Sequence, residues 1–174
     1  DVCSSDLPRK GQHILVEAFG RVALEFPDWK LRIVGRVADE EYFAGIPRGE
    51  HVEFAGKLPE AEIPGELDRA AIFAMPSLAE GLGLSLQEAL FRGCTCIGSR
   101  VGGIPELIEH DRSGLLVPPG DPAALAEGLR MLMRDGTLRH RLSECGRRWV
   151  LEKGMTRQRM VQRHAQLYRE ILAR

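Results

Sequence analysis

The chain has 174 residues, 44% of them apolar and 28% charged, which suits one soluble globular domain with a sizeable core. Lys plus Arg number 24 and Asp plus Glu 25, a balance that gives no support for a nucleic-acid or membrane-binding surface. No apolar run approaches the roughly 20 residues of a membrane span, and no signal peptide is visible.

The first seven residues, DVCSSDL, carry no element pattern and resemble the translation of a sequencing-adapter read. They are expected to be a non-native or disordered leader, with the domain running over 8–174. From Gly11 to Phe26 the apolar residues Ile14, Leu15, Ala18, Phe19, Val22, Ala23 and Phe26 follow the spacing of a helix with one buried face. Pro27 and Asp28 stop it. "KLRIVG" reads as a buried strand, Asp39 to Ala44 as a weak helix and "HVEFAG" as an alternating strand. Pro59 to Arg69 is helical, with a break or late start at Pro64. "AAIFAMP" is a core strand, followed by a glycine turn and a helix from near Ser85 to Arg92. "CTCIGS" is a strand, "GGIPELIEH" a turn and short helix, "GLLVP" a last strand. Asp121 is the cap of the next helix, Pro122 its first residue, and Gly136 lies past its end. Two helices remain, with Thr137 and Thr156 as caps. Met160, His164, Leu167, Tyr168 and Ile171 form the buried stripe of the last. Arg147, Arg148 and the run from Arg157 to Arg163 read as a solvated helix face.

Strands separated by helices predict an α/β domain: a Rossmann-like parallel sheet with helices on both faces. Ligands of such sheets bind at the carboxyl ends of the strands. The turns to examine are therefore Gly35, Gly56 to Leu58, Pro76 to Ser85 and Ser99 to Ile104. No G-x-G-x-x-G turn follows a strand, which argues against a nicotinamide enzyme.

The most informative stretch is "PSLAEGLGLSLQEAL", Pro76 to Leu90. Gly81 and Gly83 let backbone approach a ligand and expose its N–H groups. The helix that follows adds unpaired N–H groups and a partial positive charge, which suits an anion such as a diphosphate. Glu88, one turn inside, can accept hydrogen bonds from two vicinal hydroxyls. Glu80 can face a sugar ring. Ser85 to Glu88 also reads as S-x-x-E, a capping box, with Glu80 an ordinary loop acid; local pattern leaves the two readings open. Lys10, beside a glycine at the start of the first helix, suits a phosphate or is a surface charge. "VGGIPE" (Val101 to Glu106) is a second glycine turn that either packs on the first or merely starts a helix at Pro105. The histidines His13, His51, His110, His140 and His164 show no pairing with acids or cysteines. Cys94 and Cys96 lie two apart in a strand without zinc spacing, and read as buried thiols in a reducing cytoplasm.

Taken in order and spacing, "KGQHILVEAF", "LRIVG", "VEFAGKLP", "IFAMPSLAEGLGLSLQEAL", "VGGIPELIEHDRSGLLVPPGDPAALAEGL" and "LYREIL" resemble the C-terminal, donor-binding half of a retaining glycosyltransferase of the GT-B fold, in glycosyltransferase family four. The resemblance runs from Lys10 to the end. Its most specific feature is the Glu-(seven residues)-Glu motif, Glu80 to Glu88. It implies that Glu88 binds the nucleotide ribose, that the amides of Leu84 and Ser85 hold the diphosphate, and that those of Leu82 and Gly83 hold the donor sugar. Glu80 would face that sugar at the reacting side, Lys10 would bind the diphosphate, and the backbone of Leu58 would read the base. It implies no metal and no cofactor beyond the nucleoside diphosphate sugar used as donor substrate. The expected partners are that donor and an N-terminal acceptor domain absent from the chain. Membrane association is expected only through that missing half, and the location is cytoplasmic. Three departures stand out: Ser5 lies near where the family usually has an arginine, and if the leader is foreign both that arginine and the first strand are missing; Thr95 stands where the family commonly has proline; and the acceptor-binding N-terminal domain is absent. The activity so implied is transfer of a hexose from a nucleoside diphosphate to an acceptor hydroxyl with retention. The fragment alone should be inactive. The rivals are a nucleotide-sugar epimerase of the same architecture and a non-catalytic sugar-nucleotide binder.

Overall fold

The computed structural model describes residues 5–6, 8–154 and 157–172. Among these residues seven strands and eight α-helices follow in the order β1 (Ser5–Asp6), α1 (Gln12–Gly20), β2 (Leu31–Val34), β3 (Arg36–Val37), α2 (Glu40–Ala44), β4 (Val52–Gly56), α3 (Ile63–Arg69), β5 (Ile72–Met75), α4 (Leu84–Arg92), β6 (Thr95–Ser99), α5 (Ile104–Leu107), β7 (Leu115–Val117), α6 (Pro122–Arg134), α7 (Gly136–Glu152) and α8 (Arg157–Leu172). Short 3-10 turns at Pro8–Lys10 and Ala23–Glu25 flank α1. All strand pairs are parallel. They fall into three hydrogen-bonded groups: β1 with β3, β2 with β4, and β5–β6–β7 in that order.

Successive residues of a strand point to opposite faces, and the core divides accordingly. Ile97 of β6 and Leu115 and Val117 of β7 join Ile14 and Phe19 of α1 and Leu125, Leu129 and Leu132 of α6 on one face. Cys96, Leu116, Phe73 and Met75 point the other way, into Leu67 of α3, Leu86 and Leu90 of α4 and Ile104 of α5. Every residue of β6 and β7 is buried, as a parallel strand covered on both sides requires.

Several element ends differ from expectation. The long first helix is α1 followed by a turn, because the chain leaves the helix at Arg21. Pro64 starts α3 late instead of breaking it. Cys94 precedes β6 instead of lying in it. Thr137 does not cap α7: Asp135 does, accepting from the Leu138 N–H at 2.9 Å, so Gly136 opens that helix. Asp121 caps α6 as expected, accepting from Ala123 and Ala124 at 3.0 and 2.9 Å. On α8, Tyr168 and Ile171 are 62% and 57% exposed. Periodicity shows that they share a face, but not that a surface lies within reach of it. The side chains of Met160, His164 and Leu167, and Thr156, lie outside the described residues. Arg147 and Arg148 are exposed, as a solvated face demands. Two histidines do sit beside acids, both at the surface: His110 near Asp111 at 3.4 Å and His140 near Glu144 at 3.8 Å.

Candidate functional site

Pro76 ends β5, since proline has no N–H to continue a ladder. The chain then turns through Ser77 to Gly83 and enters α4. Three glycines set the shape of this turn. Gly11 has φ 71°, and a Cβ there would lie 2.1 Å from the Pro76 carbonyl oxygen. Backbone N–H groups of Leu78 and Ala79 donate to the Arg9 carbonyl at 2.7 and 3.4 Å. The segment before α1 is thus laid directly on the loop after β5. On the other side, Gly103 N–H donates to the Gly81 carbonyl at 3.1 Å. A Cβ on Gly102 would fall 1.8 Å from the Glu80 carbonyl oxygen. The "VGGIPE" turn therefore packs on the first glycine turn, with no room for a side chain between them.

This packing brings Lys10 and Glu80 together across 70 residues of sequence. Lys10 Nζ donates to Glu80 Oε2 at 2.9 Å, with the two side chains 14% and 11% exposed. Ser77 Oγ lies 3.5 Å from the same oxygen, and Gly81 N–H donates to Oε1 at 3.0 Å. Burial pushes the Glu80 carboxyl upward. The Lys10 ammonium and the Gly81 and Gly83 amides more than reverse this, and hold it below the ordinary carboxylate range. The turn thus already cradles one carboxylate, its own.

Gly83, in the left-handed region at φ 60°, is the N-cap of α4, and no side chain caps the helix. The helix begins one residue earlier than expected. Ser85 is therefore its second residue and is buried, Glu88 its fifth and exposed. A capping box needs the serine at the N-cap and the acid three residues on, so that reading of Ser85 to Glu88 is not what the backbone adopts. No hydrogen bond or ion pair among the described residues engages the Glu88 carboxylate. Leu82 and Leu84 are 72% and 56% exposed, and the Leu82 carbonyl accepts from Gln87 Nε2 at 3.1 Å. The N–H groups of Leu84 and Ser85 belong to the first helical turn, which has no intrahelical acceptors for them. Leu58, in the loop after β4, packs against the cluster that holds Met75 and Leu86.

The structure brings Lys10, Glu80 and the 81–85 turn together at the carboxyl end of β5, with Glu88 on the same helix. Sequence reasoning gave too little weight to Gly11, Ser77, Gly102 and Gly103, which shape the turn. A glycine in a turn was the only signal of Gly11, Gly102 and Gly103, and Ser77 had none. Cys94 and Cys96 are buried; burial pushes the Cys94 thiol up to about 11 and the Cys96 thiol well above its ordinary value. Among the described residues no three His, Cys, Asp or Glu side chains cluster, and no helix is long and apolar enough to cross a membrane.

Parallel strands covered on both faces, with a glycine turn and a helix N-terminus at a strand's carboxyl end, define a Rossmann-like α/β domain suited to an anionic ligand. The chain belongs to the glycosyl transferases group 1 family, whose model matches residues 3–149. It is 35% identical over 144 residues to a phosphatidyl-myo-inositol mannosyltransferase of Mycobacterium leprae, covering 81% of this chain and 38% of that protein. It is 31% identical over 173 residues to a GDP-mannose-dependent alpha-(1-6)-phosphatidylinositol monomannoside mannosyltransferase of Mycolicibacterium smegmatis, covering 91% and 44%. The chain thus spans less than half the length of either relative. It superposes on the C-terminal domain of the group 1 glycosyl transferase LpcC from Francisella tularensis with a TM-score of 0.76 and 28% identity, covering 84% of this chain and 80% of that one. The fold is that of the C-terminal half of a GT-B glycosyltransferase.

Proposed function

We propose that this domain holds the nucleoside diphosphate sugar in a hexosyltransferase that retains anomeric configuration, and that an N-terminal domain of the intact protein brings the acceptor hydroxyl. The observation that carries the reading is the Lys10–Glu80 contact of 2.9 Å beside the 81–85 turn. It sets a cation, an acid and a helix N-terminus around one spot at a strand's carboxyl end. Lys10 and the Leu84 and Ser85 amides bind the diphosphate and stabilise its charge as it leaves, the electrostatic contribution that fixed donors make best. Glu88 accepts from the ribose hydroxyls, and the Leu58 backbone reads the base. The Leu82 and Gly83 amides and Glu80 face the sugar. The donor is the one substrate these residues need, with no further cofactor. The two names that include mannosyl transfer, one of them specifying GDP-mannose, support a hexose donor. The buried thiols of Cys94 and Cys96 suit a cytoplasmic setting.

A panel of UDP-, GDP- and ADP-hexoses, titrated onto the intact protein and its Lys10→Ala variant, tests the reading. One donor should raise the intact protein's thermal midpoint, and the variant should need roughly tenfold more of it, the loss of one charge-assisted contact. Equal responses in the two proteins would remove Lys10 from the site. An epimerase would turn over the same donor with no acceptor present; nothing in the site favours that reaction.

A further inference from the structure

Lys10 ends the Pro8–Lys10 turn, and α1 begins two residues later. The lysine side chain is a flexible four-carbon stem, so its reach depends on how firmly the backbone beneath it is held. On one side that backbone rests on the loop after β5, through Gly11 against the Pro76 carbonyl. On the other it runs into α1. A first helical turn has N–H groups without intrahelical acceptors. The N-cap of α1 is Gly11, which has no side chain to offer them. The acceptor comes from another element: His13 N–H, in that first turn, donates to the Tyr42 phenol oxygen at 3.2 Å, across 29 residues of sequence.

The phenol donates its own proton to Gln12 Oε1 at 3.2 Å, and His13 Nδ1 lies 2.8 Å from the same oxygen. With that proton committed to Gln12, Nδ1 carries hydrogen and donates, so the oxygen accepts twice from His13. The His13 and Tyr42 rings meet edge to face, with centroids 5.6 Å apart at 88°. The helix that carries Tyr42 is itself anchored. Asp39 caps α2, accepting from the Tyr42 N–H at 2.9 Å. Just past α2, the buried Ile46 clusters with Val16 of α1 and Ile33 of β2, and Tyr42 and Phe43 pack on that cluster. We propose that Tyr42 is a positioning residue for the donor site: its phenol oxygen caps α1 from α2 and fixes the backbone from which Lys10 reaches the diphosphate. This role rests on the donor-binding function proposed above.

Tyr42 does two separable things. Its ring fills space on the Ile46 cluster, and a phenylalanine ring would do the same. Its oxygen joins Gln12 and His13, the first two residues of α1 and the next in the chain after Lys10 and Gly11. Tyr42→Phe keeps the packing and removes the cap. Loss of a helix cap is worth roughly threefold to tenfold in an equilibrium constant, and the donor should feel it through Lys10.

The test is a double-mutant cycle on the intact protein, with Tyr42→Phe, Lys10→Ala and the pair. Affinity is read by calorimetry with UDP-glucose, GDP-mannose or ADP-glucose, whichever the parent binds. Tyr42→Phe should weaken binding by roughly threefold to tenfold, and should weaken it no further once Lys10 is alanine. Asp135→Ala, which removes the cap of α7, is the control for stability. It should lower the melting temperature about as much as Tyr42→Phe and leave affinity unchanged. Unchanged affinity in Tyr42→Phe, an equal loss in the Lys10→Ala background, or a like loss in Asp135→Ala would overturn the proposal. A Lys10→Ala protein that binds as the parent does, or a parent that binds none of the three, would instead sink the donor-binding function, and this role with it.

Discussion

Glu80 is held ionised by what surrounds it: the Lys10 ammonium on one oxygen and the turn's own amides around it. The sign of the pH effect follows from the direction of its shift. A carboxyl whose folded value is depressed adds stability that is fully present above its unfolded value, about 4.3 for glutamate. That contribution is lost as pH falls through the lower, folded value. Glu80→Gln should therefore differ in stability from the parent near neutral pH by on the order of 1 kcal/mol, a modest figure because the pair still touches solvent. The difference should shrink steadily as pH falls below that of an ordinary glutamate. Urea melts of both proteins across pH 7 to 3 would show it; a gap independent of pH would mean that the Lys10 contact does not set the charge of Glu80.

The glycine turns act as elements in their own right. Gly93 and Gly102 are both in the left-handed region, at φ 84° and 51°. A side chain at Gly93 would meet nothing within 4 Å, whereas one at Gly102 would collide with the Glu80 carbonyl. Gly93→Ala should thus cost only the backbone strain of the left-handed region, about 1 kcal/mol. Gly102→Ala must in addition push two turns apart, and should cost roughly 3 kcal/mol or more while displacing Glu80 from Lys10. Thermal denaturation of the two variants separates strain from collision; equal losses would mean that the two turns are not in the contact described. The sequence announced both turns through their glycines, but not that they touch. No local pattern encodes a contact between residues 80 and 102, and this one depends on β5 and β6 lying side by side in the sheet.

At the scale of the whole molecule, alternation of apolar runs was enough to read the parallel α/β architecture, because strands such as "CTCIGS" and "GLLVP" are apolar on both faces only when helices cover both. The two core clusters, one on each face, are the outcome. Less was legible where local pattern has two solutions. S-x-x-E fitted a capping box and a ribose acid equally well, and the start of α4 at Leu84 removes the capping box alone. The stripe on α8 had the spacing of a buried face, yet Tyr168 and Ile171 stay exposed, because burial depends on a partner surface that periodicity does not supply. The account as a whole turns on Glu88, an exposed acid beside the helix N-terminus that carries no structural duty. Calorimetric titration of the matched nucleoside diphosphate hexose onto the intact protein and its Glu88→Ala variant tests this most directly. The account predicts an unchanged melting temperature and an affinity lowered by roughly ten- to a hundredfold, the worth of hydrogen bonds to a charged group. An unchanged affinity, or a loss of affinity that merely follows a loss of stability, would contradict it.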